Sequence, residues 1–117
     1  TAEAEENCAI MAADQIKAFL DHGNIKNAVN FPAIELERTT DSRLTVTNQN
    51  APGTLSHILN VLGDADLNVA DLLNKSRGDI AYNLIDLNTT PDADVLDKIR
   101  LVEGVINVRH LGKPCAV

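Results

Sequence analysis

The sequence predicts an α+β fold in which a four-stranded antiparallel sheet carries two helices on one face. Three observations lead there. From residue 43 to residue 111, stretches of strand length alternate with two runs of helical period, and Gly, Pro, Asn and Asp fall at the joints. Each helical run has a single apolar stripe. A helix with one such stripe must bury it against another element, so both helices take the same side of the sheet. The order strand, helix, strand, strand, helix, strand, in about 70 residues, is two βαβ halves joined by a hairpin. This is the ferredoxin-like βαββαβ arrangement.

Each element has its own justification. Residues 2–22 read as a helix: Cys8, Ala12, Ile16 and Phe19 recur at helical spacing, and Met11 and Leu20 widen the stripe. Thr1 is placed as its N-cap, acids fill the first turn, and Gly23 ends it. Periodicity then fails, and Asn24, Asn27, Asn30 and Pro32 argue for an extended connection with a boundary at 33–42. In the first strand, Leu44 and Val46 share one face and Thr45 and Thr47 the other, and the strand is expected to end near Asn48. Pro52 and Gly53 open a helix with Leu55, Ile58, Leu59 and Leu62 at i, i+3, i+4 and i+7, and Gly63 with Asp64 and Asp66 ends it. Residues 67–76 and 79–88 form strands around a hairpin turn at Gly78. Thr90 is the expected N-cap of the last helix, with Pro91 at its first position and Asp92 beside the dipole. Val95, Leu96, Ile99 and Val102 point inward, Gly104 stops the helix, and residues 105–111 close as the fourth strand. The expected organisation is a helix and tail at 1–32, a linker at 33–42, the ferredoxin-like domain at 43–112 and a tail at 113–117.

The totals narrow the possibilities. A chain of 117 residues has room for one ordinary domain. Aromatics are 3% and Trp is absent, so the core must be aliphatic. A net charge of −7 repels phosphate backbones and argues against a nucleic-acid partner. Cys8 and Cys115, at opposite ends, suit neither a zinc site nor a disulfide framework, and a reduced cytoplasmic setting is expected. No apolar run approaches a membrane span, and the acidic start is unlike a signal peptide. Opening on Thr, the chain is expected to be a piece of a longer product. The sheet's second face is left available for a partner subunit, and a domain of about 70 residues gains from dimerisation.

Catalytic constellations are missing. His22, His57 and His110 have no metal-ligand spacing and are expected to be solvated or capping. Asp64, Asp66 and Asp71 fall where turns and solvated surface explain them. Cys8 lies on an apolar stripe, where a buried small hydrophobe is the default. The six glycines are scattered, so there is no phosphate loop, no cofactor is expected in this chain, and no metal site either. The stretch TNQNAPGTLSHIL, residues 47–59, is different. A helix N-terminus offers backbone N–H groups to a carboxylate, and Gly53 lets a ligand approach the backbone. Asn48 and Asn50 offer donors and acceptors to an ammonium or hydroxyl, and Asn68 could face the same pocket or a neighbour's. Together they would match a free amino acid. The alternative is that these asparagines only cap a helix and shape turns.

The stretch LTVTNQNAPGTLSHILNVLGDADLNVADLLNKSRGDIAYNLIDLN, residues 44–88, resembles an ACT domain, the regulatory module of amino-acid metabolism. More narrowly it resembles the C-terminal domain of D-3-phosphoglycerate dehydrogenases. In that family the strand–helix turn reads His-x-Asn-x-Pro-Gly, then a small apolar residue and Leu; here Asn48 to Leu55 read NQNAPGTL. Asn68-Val69-Ala70 matches the second strand, and Ala81 to Asp86 match the third. Residues 1–32 resemble the helix and tail that close the dehydrogenase part, with Glu5 where the family has Gln and Asn27 to Pro32 fitting its last motif.

The resemblance implies a regulatory piece of an NAD-dependent enzyme that oxidises 3-phosphoglycerate at the start of L-serine biosynthesis, with the NAD site and catalytic residues upstream. It implies homo-oligomers through ACT domains, and L-serine or another small amino acid bound between two of them. Asn48, Asn50, Ala51, Pro52, Gly53, Thr54 and Leu55 would form one wall, and Asn68 of the neighbouring subunit would complete it. Asn48 stands where the serine-responsive form has His, and Ala51 where Arg is frequent. A structural oligomerisation domain with a vestigial pocket is the competing expectation.

Overall fold

The computed structural model describes residue 15, residues 17–26 and residues 33–112. Its core is β1 (Ser42–Gln49), α1 (Thr54–Asp64), β2 (Val69–Arg77), β3 (Ile80–Leu87), α2 (Ala93–Arg100) and β4 (Val105–Leu111). The strands are ordered β2-β3-β1-β4, and every neighbouring pair is antiparallel. The ferredoxin-like expectation holds in element order and sheet topology.

The two central strands set the register, from Ser42 opposite Leu87 to Gln49 opposite Ile80. On the face covered by the helices, Leu44 and Val46 meet Ile85, Leu87 and Val108 of the neighbouring strands. Ile58 and Leu62 of α1 and Val95 and Ile99 of α2 close over them, giving the all-aliphatic core that the near-absence of aromatics required.

Helix boundaries differ from expectation in three places. The last helix ends at Arg100 rather than at Gly104, and Val102 packs on the core from the turn that follows. Asp92, not Thr90, is the N-cap of α2: its carboxylate accepts the N–H of Val95 at 3.0 Å, so Pro91 lies outside the helix. A carboxylate at that position both bonds an orphan N–H and complements the dipole. Gly63 does not stop α1, which runs on to Asp64; the chain reverses at Asp66, whose φ of 58° lies in the left-handed region that Asp tolerates.

The second face of the sheet is not left open, which corrects the expectation of a surface reserved for a partner subunit. A helical stretch through residues 17–22 ends at Gly23, whose N–H reaches the carbonyl of Phe19 at 2.8 Å. Gly23 has a φ of 72°, and a Cβ there would collide with Thr45 Cγ2 of β1 and sit 3.1 Å from Leu84 and from the Tyr82 hydroxyl. Only glycine meets both demands. Beyond it, Ile25 and Ile34 exchange backbone hydrogen bonds and pack with Tyr82 and Leu84 into a second core, edged by Leu36 and Leu73. The expected linker at 33–42 therefore lies against the sheet, because its apolar residues have a face to cover.

Beneath this layer Arg43 and Asp86, directly opposite one another on β1 and β3, form a wholly buried bidentate ion pair. Arg43 also donates to the carbonyls of His22 and Leu36, and Asp86 accepts from the N–H and hydroxyl of Thr39. The pair thus ties the extended segment to the sheet. Burial pushes the Asp86 carboxyl up, but the hydrogen bonds from Arg43 and Thr39 and the guanidinium charge outweigh it and hold the group below its ordinary value. Thr1, Cys8, Met11, Ala12, Ile16, the motif at 27–32 and Cys115 lie outside the described residues.

Candidate functional site

The turn joining β1 to α1 gathers most of the residues singled out in the sequence. It is pinned on two sides. Gln49 N–H reaches the carbonyl of Gly104 at 2.7 Å, and Asn50 N–H reaches that of Asp79, in the β2–β3 hairpin, at 2.8 Å. Ala51 N–H folds back on the carbonyl of Gln49 at 2.9 Å. Ala51, Pro52 and Gly53 are exposed, Leu55 is half-buried, and Thr54 is buried beside Gly104. Gly53 has a φ of 86°, and a Cβ built there meets nothing within 4 Å. The backbone angle, not crowding, therefore calls for glycine, and among the described residues the space above it is open. Among the described residues no side chain caps α1, and its first turn holds no acid. The positive end of that helix is left unneutralised.

The asparagines are used differently from the expectation of free donors and acceptors. Asn48 is 3% exposed. Its Oδ1 accepts from Asn83 Nδ2 at 2.7 Å, and its own Nδ2 donates to the carbonyl of Gln49 at 2.8 Å. Asn83, wholly buried on β3, also donates to the carbonyl of Val46 and accepts from Asn74 Nδ2 of β2. Three amides thus cross the sheet on its helix side and end at the turn. Asn74 and Asn83 were missed by sequence reasoning, although a signal existed. Asn83 alternates with Ala81, Ile85 and Leu87, so a polar residue occupies the buried register of a central strand.

Asn50 is exposed and donates through Nδ2 to the carbonyl of Gly78 at 3.2 Å, fastening the turn to the hairpin. Asn68 is not brought to the turn within one chain. It is exposed just before β2, and its carbonyl accepts from Asn88 beyond the end of β3 that pairs with Ser42. The eight residues of β1 separate the two ends of the sheet, roughly 25 Å at strand rise. Only a second chain could deliver an Asn68 here.

The histidines prove more engaged than expected. His57 is exposed, but His22 and His110 are half-buried and bonded: Nδ1 of His22 accepts from Arg38 Nε at 3.2 Å, and His110 Nε2 pairs with the Ser42 hydroxyl at 2.9 Å. Burial, then the Arg38 charge, holds both rings below their ordinary pKa. Asp64 and Asp66 are exposed, and Asp71 accepts from its neighbour Leu72. Among the described residues, no group of three His, Cys, Asp or Glu is arranged to hold a metal, and no helix is long and apolar enough to cross a membrane. The positive-φ glycines among the described residues sit in four separate turns.

The class these features define is a ferredoxin-like α+β module with an open strand-to-helix turn at one end of its sheet. No protein-family model matches the chain. The ACT domain from the GTP pyrophosphokinase of Chlorobium tepidum aligns with a TM-score of 0.48 and 23% identity, over 60% of this chain and 95% of that one. The D-3-phosphoglycerate dehydrogenase of Haemophilus influenzae is 31% identical over 112 residues, covering 95% of this chain and 27% of that protein. The D-3-phosphoglycerate dehydrogenase of Escherichia coli K12 is 29% identical over 115 residues, covering 95% and 28%. Over 95% of its length the chain is thus a homologue of D-3-phosphoglycerate dehydrogenases, and it spans about a quarter of theirs.

Proposed function

We propose that the chain is the C-terminal ACT regulatory part of an NAD-dependent D-3-phosphoglycerate dehydrogenase, and that its β1–α1 turn receives a small amino acid, with L-serine first among the candidates. The parent enzyme would oxidise 3-phosphoglycerate at the first step of L-serine biosynthesis, in the cytoplasm. Residues 1–32 would close its dehydrogenase part and 33–42 join the two. NAD and the catalytic groups would be held upstream.

The observation that carries this reading is the uncapped, acid-free N-terminus of α1 behind an exposed left-handed Gly53. Backbone N–H groups there suit a carboxylate. Asn50 engages only its Nδ2 among the described residues, which leaves Oδ1 to accept from an ammonium. Asn48 acts from beneath, holding the peptide of Gln49, while Asn68 of a second copy closes the pocket. The site is then complete only in a homo-oligomer, a dimer or tetramer joined through these domains.

Calorimetry of L-serine into the 117-residue chain tests the proposal. Saturable heat, with a melting temperature that rises with ligand, is expected. No heat from any small amino acid at millimolar concentration contradicts it.

A second reading, an assembly domain without an effector, is favoured by the internal use of Asn48 and Asn50 and by the bare methyl of Ala51. Asn50→Asp and Asn68→Asp separate the two. Serine response lost with the oligomer intact supports the regulatory site; an unchanged response in both variants supports the second reading.

A further inference from the structure

Arg38 is the most connected side chain on the back of the molecule. Its Nη2 donates to the carbonyl of Asp21, at the end of the N-terminal helix, at 2.7 Å, and to that of Gly112, just past β4, at 2.8 Å. Nη1 reaches the carbonyls of Thr40 and Leu111, both at 3.5 Å. Its Nε donates to Nδ1 of His22. That last bond requires a neutral ring with its proton on Nε2, because a protonated imidazole has no acceptor. Protonation would turn the bond into a contact between two cations, with Arg43 a third positive group against the carbonyl of His22.

We propose that His22 and Arg38 form a proton-operated latch, closed when His22 is neutral, that holds the helix end at residues 17–23 on the back face of the sheet and releases it on acidification while the sheet stays folded. The proposal is independent of what binds at the β1–α1 turn.

The charges around His22 set the sign. Lys17 and Asp21 lie on its own helix and pair with each other at 2.9 Å; Arg38 faces it from the extended segment, and Arg43 from β1 already has Asp86 of β3 as partner. The charge of Arg38 also acts on His110, and Asp41 and Asp86 act on Arg38. Only Asp21 favours a cationic ring directly, and its carboxylate already serves Lys17. Because the closed form holds the His22 pKa below its ordinary value, the released form binds more protons at acid pH. The latch is therefore fully closed above about pH 6.5 and weakens as pH falls below it. Asp86 is held low instead, so the Arg43–Asp86 anchor keeps Leu36 and Thr39 in place. Opening the latch also breaks the bonds from Arg43 to the carbonyl of His22 and from Arg109 to that of Phe19.

The chain carries its own reporter. Tyr82 is the one tyrosine, there is no tryptophan, and its hydroxyl lies against Gly23. Burial raises its pKa, so it does not itself titrate in the relevant range. The test follows the near-UV circular dichroism of Tyr82 in the 117-residue chain from about pH 7.5 to about pH 5, above the sequence pI of 4.7. Far-UV dichroism is recorded in parallel. Loss of the Tyr82 signal with strand signal retained is expected in the parent chain and in His110→Asn. His22→Asn and His22→Gln, which cannot be protonated, should stay flat across the same range. Three results would each overturn the latch: a parent chain whose Tyr82 signal does not change, a His22 variant that titrates like the parent, or strand signal lost at the same midpoint. Abolition of the transition by His110→Asn alone would also overturn it.

Discussion

The two faces of the sheet are built on different physics. Under the helices, Leu44, Val46, Ile58, Leu62, Ile85, Leu87, Val95, Ile99 and Val108 form a core without a polar partner to satisfy, apart from the amide ladder at its edge. Such a core is stabilised by area, roughly 1.5–3 kcal/mol for each large aliphatic side chain, and tolerates exchange of similar shapes. On the back, Tyr82, Leu84, Ile25 and Ile34 pack beside a fully buried ion pair, and Arg38 and Arg43 hold the covering segment by its carbonyls. That side depends on particular partners in particular places. A face held by area is robust, whereas a face held by directional bonds can be opened by changing one group.

Graded substitutions should expose this contrast. Asp86→Ala strands the buried Arg43 guanidinium and is expected to cost about 3–5 kcal/mol in a urea melt, the largest single effect. A loss below about 1 kcal/mol would mean that the pair does not anchor the back. Ile99→Ala leaves a cavity under α2 and should cost about 3 kcal/mol while leaving the near-UV signal of Tyr82 intact. Gly23→Ala forces a left-handed residue against Thr45 and should cost at least about 1 kcal/mol. Its signature is the reverse, a Tyr82 signal lost before the strand signal. Asp92→Ala removes the cap of α2 and should cost about 1 kcal/mol with no effect on the back face. If Gly23→Ala and Asp92→Ala gave the same optical signature, the two faces would not be separable.

The front face was legible because its information is local. Leu55, Ile58, Leu59 and Leu62 announce a helix within eight residues, and the alternation of Leu44 and Val46 fixes which side of β1 is buried. The back face was not legible. Arg43 and Asp86 are 43 residues apart, and Ile25 and Ile34 stand in a segment whose asparagines and proline read only as a connection. No periodicity reports such pairings.

The candidate site was half legible. The open helix end and the accessible backbone at Gly53 followed from sequence, but the left-handed angle of Gly53 and the side-chain roles did not. Asn48 has the same parity as Leu44 and Val46, which places it beneath the helices, and the buried Asn83 was needed to hold it there. The N-cap of α2 slipped by two residues because Thr90 and Asp92 are both competent caps and only tertiary packing chooses between them.

The account rests on a ligand meeting the open turn at one end of the sheet, away from the bonded back face. Amide spectra of the 15N-labelled chain, titrated with L-serine, measure this most directly. The account predicts saturable shifts centred on Ala51, Gly53, Thr54 and Leu55, with Gly23 and Tyr82 unmoved. Amides of the turn that stay fixed at saturating ligand, or shifts centred on the back face, would contradict it.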